Sequence, residues 1–244
     1  MNRYYYDLHV HSCLSPCGDD DSTPNNIAGM ATLCGLNIVA LTDHNTTKNC
    51  PAFFAAAKKY GLIPIAGMEL TTSEDIHVVC LFEALEDATA FDEYVSKRRL
   101  IIDNRPEIFG KQQILDEDDE VIGEEKYLLI NATSISIDET VSLVKEYNGV
   151  CYPAHIDRES NGMIAVLGDI PPDSEFFFYE LHSGENVKEF SDRYGISEDR
   201  FIISSDAHYL TDLRDKEFYF DIDDEPYSSA KVRSELFKML RRSI

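Results

Sequence analysis

Histidines in this chain follow short apolar stretches of β type, and this placement limits what the chain can fold into. Between those stretches lie helical segments, such as the Ala-rich residues 51–60, which Gly61 ends. Strands that alternate with helices predict a parallel sheet, and this many units favour a closed or nearly closed barrel. In such a barrel the carboxyl ends of the strands share one face. We therefore expect six of the seven histidines to converge there, namely His9, His11, His44, His155, His182 and His208.

The predicted elements follow one another with little linker between them. A helix is expected to begin at Thr23-Pro24, with the threonine as N-cap and the proline in the first turn. Only His77 opens its apolar stretch instead of closing it. The strands are predicted at 4–10, 37–42, 62–66, 77–82, 149–153, 176–181 and 200–204, with a further one at 218–222, and a closing helix at 228–242.

Residues 104–131 interrupt this alternation. Within them, residues 112–129 are typical of a β-hairpin, with an acidic run at 116–120 near its tip. Two interpretations remain open, an insertion with a solvated acidic edge or a lid over a substrate. The rest of the chain shows no internal repeat, so residues 1–244 are predicted to form one domain.

Composition and charge narrow the class of protein. Of the 244 residues 43% are apolar, which is enough for an ordinary core. The formal net charge of −23 repels nucleic acid phosphates, so duplex nucleic acid is not expected as a partner. A small phosphorylated substrate held by metal ions remains compatible with that charge. The sequence does not indicate the oligomeric state.

The cysteines and the N-terminus favour a cytoplasmic location. Six cysteines occur without C-x-x-C spacing, which is typical of free, reduced thiols. Cys13 and Cys17 lie near the histidines, but their spacing matches no known motif. No apolar signal core and no run of membrane-spanning length is present, so no membrane contact is expected.

The histidines are accompanied by carboxylates at equivalent places. In His9-Val-His11 the alternate residues of a strand point to one side, and Asp206-Ala-His208 repeats that spacing. Glu69 stands just past the third predicted strand. Imidazole mixed with carboxylate suits zinc, manganese or iron, and the lack of cysteine ligands argues against a purely structural zinc site.

Taken together, these motifs resemble the PHP family, named for polymerase and histidinol phosphatase domains. The matching pieces occur in family order and cover nearly all of the chain outside 104–131. They are Asp7-Leu-His9-Val-His11-Ser12, Leu41-Thr-Asp43-His44, Gly67-Met-Glu69, His77, Ala154-His155 and Ser205-Asp206-Ala-His208.

The resemblance implies a distorted (β/α)7 TIM-like barrel with two or three divalent metal ions. One ion would take His9, His11, Glu69 and Asp206. A second would share Glu69 and take His77 and His155. A third would take His44, His208 and one further ligand.

That further ligand is where the chain departs from its relatives. They carry an aspartate five residues after the His-x-His pair, where Pro16 stands here. Counting back four residues from Thr23-Pro24 selects Asp19 instead, with Asp20 as the alternative. If neither binds, the third metal site is in doubt.

The predicted function is hydrolysis of a phosphate ester by a metal-activated water, with Glu69 and Asp206 positioning that water. No Gly-x-Ser-x-Gly elbow supplies a protein nucleophile. Arg158 either grips a phosphate or pairs with Asp157 or Glu159. His182 either contacts substrate, donates a proton or is a hydrogen-bonded strand-end residue. Asp7 and Asp43 either orient imidazoles or end strands.

Three other functions compete with this prediction. A metal-dependent amidohydrolase uses a similar pattern, but often needs a bridging lysine that these strand ends lack. A non-catalytic, metal-stabilised module would have lost ligands that this chain keeps. A nuclease is disfavoured by the net charge.

Overall fold

The computed structural model describes residues 1–241, which form a mixed α/β fold. Its strands are β1 (Asn2–Val10), β2 (Ile38–Leu41), β3 (Ile63–Thr71), β4 (His77–Phe82), β5 (Gln113–Leu115), β6 (Val121–Glu124), β7 (Val150–Pro153), β8 (Tyr179–Leu181), β9 (Phe201–Ile203) and β10 (Tyr219–Ile222). Its helices are α1 (Pro24–Leu33), α2 (Cys50–Tyr60), α3 (Leu85–Ser96), α4 (Pro106–Phe109), α5 (Ile137–Glu146), α6 (Met163–Leu167), α7 (Val187–Tyr194) and α8 (Ser229–Arg241). The predicted end of the last helix at Arg242 lies outside the described residues.

Local signals explain several of these boundaries. The Thr23 side chain accepts a hydrogen bond from the Asn26 N–H and so caps α1, as predicted. Gly61 ends α2 with a left-handed φ of 73°, a conformation that glycine adopts without a steric penalty.

Six strands form one curled sheet in the order β10–β1–β2–β3–β4–β7. It amounts to a half-barrel, and the two parallel strands β8 and β9 form a separate small sheet. A bridge between Val10 and Ala207 and a hydrogen bond from the Ile156 N–H to the Glu180 carbonyl connect that small sheet to the large one. An α/β fold was predicted correctly, whereas among residues 1–241 the strands do not form a complete (β/α)7 barrel.

The large sheet is also mixed, although a parallel one was expected. Strands β1, β2 and β3 are parallel, but β4 runs antiparallel to β3 and β10 antiparallel to β1. Only residues 72–76 connect β3 to β4, which is too short for the crossover that a parallel neighbour needs. The chain therefore turns back on itself at this point.

The curled sheet has an apolar cluster on each side. The inner cluster takes alternate strand residues such as Ile63, Ile65 and Leu81, and the apolar side of α8 covers it. The outer cluster lies against α1, α2, α3 and α5. Burial of apolar surface on both sides leaves the rim of the half-barrel as the place where polar side chains gather.

The segment 104–131 contains the predicted hairpin, formed by β5 and β6. Its acidic tip is not wholly solvated, because Asp119 accepts hydrogen bonds from Asn25 and Thr23 at the start of α1. A carboxylate is favourable at that end of a helix. Whether the segment also acts as a lid stays a prediction.

Candidate metal centre

The site lies at the rim of the half-barrel, and a shift in β1 orients its first two histidines. Leu8 packs in the inner cluster but Val10 packs in the outer one. The pairing with β2 changes register between Asp7 and Val10. This irregularity breaks the strict alternation, so that His9 and His11 both turn towards the interior of the rim.

Backbone pairing brings the other strand ends beside these histidines. The His11 N–H donates to the Ala207 carbonyl at 2.9 Å, which sets the residues on either side of Ala207 against the end of β1. A bridge joins His44 to Glu69, and the Ala154 N–H donates to the His77 carbonyl at 3.0 Å. Five of the six histidines that were expected to converge therefore do so, whereas His182 lies apart from them, beside Arg158 and Arg214.

His77 joins the same rim although it opens its strand. Because β4 runs antiparallel to β3, the amino end of β4 lies beside the carboxyl end of β3. Glu69 and His77 lie on the inner face with Ile65 and Val79. The one exception in the histidine pattern thus has a topological cause.

Four side chains at the rim meet around one point. Nε2 of His9 lies 3.1 Å from Nε2 of His11 and 3.3 Å from Oδ1 of Asp206. Nε2 of His11 lies 3.2 Å from Oε2 of Glu69 and 3.2 Å from the same Asp206 oxygen. With bonds of 2.0–2.1 Å, the ligand atoms of a tetrahedral ion stand about 3.3 Å apart. The spacing of these four side chains fits such an ion.

Glu69 also faces three further histidines. Its Oε1 lies 2.9 Å from Nδ1 of His77 and 3.2 Å from Nε2 of His155. Its Oε2 lies 3.0 Å from Nδ1 of His44. A carboxylate with a different set of imidazoles at each oxygen can bridge two ions. Two more groupings have ligand atoms within 4.8 Å of one another, namely His44–Glu69–His77 and His11–His44–His208.

Several buried polar atoms at the rim lie within 3.3 Å of a neighbouring polar atom but lack the geometry of a hydrogen bond. They include Nδ1 of His44, Oε2 of Glu69 and Oδ1 of Asp206, although these three residues are at most 5% exposed. An unsatisfied buried polar atom costs about 1–3 kcal/mol. Metal ions would satisfy these atoms, so the residues fit the predicted cofactor. The ligand assignments themselves stay predictions.

The backbone is strained at two residues of the rim, His155 and Asp206. His155 has a φ of 30° and Asp206 a φ of 52°, in the region that residues with a Cβ rarely adopt. Such conformations cost about 1–3 kcal/mol and cluster at functional sites.

The charges at the rim set the protonation of its histidines. Burial alone lowers the pKa of His11, but Asp206 and Glu69 outweigh burial and raise that pKa to about 9. Burial and the neighbouring His11 lower the pKa of His208 to about 4, and burial lowers that of His44 to about 3. At neutral pH, His44 and His208 are therefore neutral and able to bind a metal ion, while His11 carries a proton.

We expect the affinity of metal-depleted protein for Mn²⁺ to rise as the pH is raised from 6.5 to about 9. A proton must leave His11 before its nitrogen can bind, and each displaced proton changes the apparent affinity about tenfold per pH unit. Competition with a chromogenic chelator over that range measures the slope. A constant affinity would contradict the assignment of His11 as a ligand.

Other side chains contact the ring nitrogens of His9 and His11 that face away from the cluster. Nδ1 of His9 lies 2.9 Å from Oε1 of Glu180, which also accepts the His155 N–H. The Ser15 hydroxyl lies 2.9 Å from Nδ1 of His11 and donates to Asp43. Such contacts fix the orientation of a ligand ring. Asp43 thus acts on His11 through Ser15, whereas Asp7 accepts backbone N–H groups of His9 and Ser205.

Sequence reasoning missed Glu180 in this role. It is fully buried on β8, and its one available signal was a carboxylate in an otherwise apolar strand, two residues before His182.

Two arginines stand beside Asp206. Arg158 contacts an Asp206 oxygen and lies 3.1 Å from Nδ1 of His182. Arg214 lies 3.2 Å from the same ring. Arginine only donates, so Nδ1 of His182 accepts. Burial and the two guanidinium charges lower the pKa of His182 below its usual value. These side chains line a cavity of about 220 Å³ together with Ser205, Asp206 and Asp212.

Arg158 does not pair with Asp157, which was one of the interpretations left open by the sequence; it contacts Asp206 instead. Asp157 instead accepts the backbone N–H groups of His182 and Ser183. Arg214 was missed, because an isolated arginine in a loop between strands gives no sequence signal.

Asp19 and Asp20 are the two candidates for the further ligand of the third ion. The Asp19 N–H donates to the His208 carbonyl at 3.0 Å, while its side chain accepts the Asp21 N–H. Asp20 is exposed. Neither is among the three groupings of candidate ligands found within residues 1–241. The assignment of Asp19 as a ligand stays a prediction.

A model of the PHP domain matches residues 7–170, two thirds of the chain. The chain belongs to the PHP domain family. This confirms the resemblance drawn from the sequence, and it places the rim histidines of β1 to β7 inside the matched region.

Relatives of this PHP domain include far longer proteins. The chain is 36% identical over 94 residues to an error-prone DNA polymerase of Symbiobacterium thermophilum, covering 38% of this chain and 8% of the polymerase. It superimposes with a TM-score of 0.65 on a lesion-specific endonuclease Q of Pyrococcus furiosus, at 18% identity, over 99% of this chain and 56% of the endonuclease. The chain thus spans a small part of the polymerase and little more than half of the endonuclease.

Another solved structure has about the same length as this chain and matches it over nearly all of that length. It is a Bifidobacterium adolescentis protein assigned as a metal-dependent phosphoesterase, with a TM-score of 0.53 and 19% identity over 96% of both chains.

These comparisons correct one expectation. The charge argument held that duplex nucleic acid is not a partner of such a chain. Endonuclease Q, with a TM-score of 0.61 to this chain, has been solved with a 27-mer duplex carrying an abasic lesion at its active site. The argument was wrong because net charge describes the whole surface, whereas binding depends on the local field at the site, and here two arginines stand beside the cluster.

No helix within residues 1–241 combines the length and the apolar character needed to cross a membrane.

Proposed function

We propose that this PHP domain is a metal-dependent phosphoesterase that hydrolyses a phosphate ester with a metal-activated water. The observation that carries the proposal is the spacing of His9, His11, Glu69 and Asp206, whose facing atoms lie 3.1–3.3 Å apart. The number of ions, two or three, and their identity as zinc, manganese or iron belong to the same proposal.

Divalent ions bound at this rim would lower the pKa of a bound water towards about 7 and offset the charge of phosphoryl oxygens. The residues of the chain hold the reacting groups in place. Glu69 and Asp206 each offer an oxygen towards the His9–His11 pair, and Glu180 and Ser15 prevent those two rings from rotating. This rigidity favours catalysis, because the ligands need no rearrangement during the reaction.

Arg158 and Arg214 would bind the phosphate group. Their guanidinium groups converge on His182 at the edge of the cluster, and Arg158 reaches Asp206 itself. Arginine matches the geometry of phosphate oxygens with parallel N–H donors. His182 is held neutral between them and serves as an acceptor that aligns both guanidinium groups.

The relatives widen the range of substrates to be tested. A polymerase and a lesion-specific endonuclease, both named above, act on nucleic acids. We therefore include phosphodiesters of DNA among the candidate substrates, beside small phosphate monoesters.

The decisive experiment is a metal-dependence assay on a matched set of substrates. Metal-depleted protein would be given Mn²⁺, Zn²⁺ or Fe²⁺ and assayed on an aryl phosphate monoester, an aryl phosphodiester, an abasic-site DNA duplex and an aryl amide. Metal-dependent release of the phosphate ester product is the expected result. Turnover of the amide alone would favour an amidohydrolase, and full metal occupancy without any turnover would favour a non-catalytic module.

A further inference from the structure

Residues 97–111, which follow α3, form a basic and apolar segment at the surface of an acidic chain. The segment contains five lysines and arginines against two carboxylates, a net charge of +3, whereas the whole chain carries −23. Four large aliphatic side chains within nine residues are 48–66% exposed, namely Leu100, Ile101, Ile102 and Ile108. Single exposed apolar residues are common, but a group of them marks a surface that binds a partner.

Three cations of this segment have no ion pair with the part of the chain that the structure describes. They are Lys97, Arg105 and Lys111, and all three are exposed. Among residues 1–241, no carboxylate oxygen lies within 4.0 Å of their charged nitrogens. Their positive charge is therefore available to an anionic partner.

Two aromatic rings lie beside cations of the same surface. The guanidinium carbon of Arg105 stands 5.9 Å from the centroid of the Phe109 ring. Nζ of Lys126 stands 5.0 Å from the centroid of the Tyr127 ring, and a bridge joins Tyr127 to Asp103 of the segment. Both rings are partly exposed. Cations beside aromatic side chains can contact phosphates and the faces of bases at the same time.

The first end of the segment is fastened to the metal rim. The Ser134 N–H donates to the Arg98 carbonyl at 2.9 Å. The neighbouring Thr133 N–H donates to the Thr71 carbonyl, also at 2.9 Å, and Thr71 pairs with His77 between β3 and β4. This end of the segment therefore lies beside His77.

The other end of the segment lies near His44. A Cβ on Gly110 would stand 3.6 Å from the Pro16 carbonyl oxygen. The next residue, Cys17, has its Sγ 3.2 Å from Nε2 of His44. The segment thus borders the cluster on the side of His44 and His77, and the arginine pair described above borders it beside Asp206.

The acidic run 116–120 lies at the far end of the hairpin. Asp119 accepts a hydrogen bond from Asn25 at the start of α1, and Asp118 pairs with Lys59 on α2 at 3.2 Å. The negative charge of the run is thus held against these two helices instead of against residues 97–111.

We propose that residues 97–111, together with Lys126 and Tyr127, bind an unpaired strand of nucleic acid that leads into the metal centre. This inference rests on the proposed function and names its substrate class, a phosphodiester within a strand. The unpaired cations contact phosphates, while the aliphatic and aromatic side chains contact bases, whose faces are accessible when a strand is not paired. The arginine pair beside Asp206 holds the phosphate that lies next to the metal ions.

Binding of a labelled strand to the full, Mn²⁺-loaded chain tests this inference without turnover. The probe is a fluorescein-labelled thymidylate strand of about 12 nucleotides, a length within the usual site sizes for single strands. Phosphorothioate linkages keep its charge and resist hydrolysis. Fluorescence anisotropy would give the affinity at a series of salt concentrations.

The variant that carries Lys97→Ala, Arg105→Ala and Lys111→Ala is expected to bind more weakly and with less dependence on salt. The slope of log affinity against log salt should become less steep by about 2, because each phosphate contact of a single strand contributes about 0.7. Tyr127→Leu should weaken binding about 5- to 100-fold through the loss of stacking on a base. The slope should not change in Tyr127→Leu, because no charge is removed.

A matched variant controls for the loss of charge. The combination of Lys58→Ala, Lys145→Ala and Arg3→Ala also removes two lysines and one arginine. These residues lie at or just before the amino ends of β3, β7 and β1, whereas the rim is at the carboxyl ends of those strands. This variant should keep the affinity and the salt slope of the wild-type chain.

Three results would overturn the inference. The first is an unchanged salt slope in the variant that lacks Lys97, Arg105 and Lys111. The second is equally tight binding of inorganic polyphosphate, which has the charge of a strand but no bases. The third is binding to vesicles that contain phosphatidylserine without binding to the strand, since cations beside aliphatic side chains also suit an anionic membrane surface.

The assay of phosphate ester hydrolysis decides the proposed function separately. A chain that hydrolyses an aryl phosphate ester but does not bind the strand would defeat only this surface. A chain that binds the strand but hydrolyses no phosphate ester with any of the metals would defeat only the proposed function.

Discussion

Replacement of Glu69 with glutamine is expected to lower the rate constant for phosphate ester hydrolysis about 10³-fold or more, exceeding the cost of one lost transition-state hydrogen bond. Glutamine keeps the shape of the side chain but removes the charge that faces His9, His11, His44, His77 and His155. Elemental analysis should find at least one metal equivalent missing, since the amide cannot bridge two cations. Activity and metal content are therefore expected to fall together.

Glu180→Gln is the matched control for this experiment. Glu180 is as deeply buried as Glu69 and contacts the outer nitrogen of His9 instead of the cluster itself. Loss of such a supporting contact costs about 10–100-fold in metal affinity or activity. If Glu69→Gln retained its metals and its activity while Glu180→Gln lost them, the bridging role would have been assigned to the wrong carboxylate.

Replacement of Arg214 with alanine is expected to weaken phosphate binding about 10–100-fold, since a hydrogen bond to a charged group contributes about 1.5–3 kcal/mol. The inhibition constant of inorganic phosphate and KM for the best substrate should both rise. Metal content should not change, because Arg214 contacts His182 and not the metal cluster. Arg158 is less suitable for this purpose, because its contact with Asp206 would mix substrate binding with metal binding.

Arg3→Ala serves as the control for the charge change. Arg3 is half-exposed and pairs with Asp221 at the amino end of β1, far along the strand from the rim. The Arg3→Ala replacement also removes one positive charge, but it leaves the cavity beside Asp206 unchanged. An Arg214→Ala protein whose inhibition by phosphate matched that of Arg3→Ala would refute the phosphate-binding role.

The sequence alone was sufficient to predict most of the strands and the gathering of five histidines at the rim. The boundaries of β4 and the cap of α1 agree with the periodicity and capping signals, because these depend on neighbouring residues only. The convergence of His9, His11, His44, His155 and His208 was also predictable, since strands that share a direction share an edge. The family resemblance, carried by the same residues, was confirmed.

Tertiary structure decided the rest. The direction of β4 brings His77 to the rim, and the register shift in β1 turns His9 and His11 inward. Both depend on pairing between strands, which no local pattern records. The positions of Glu180 and Arg214 depend likewise on contacts over long sequence separations. A strand-end pattern thus determined which residue types gather at the rim, and the pairing of the strands decided which histidines and carboxylates meet there and which side chains lie around them.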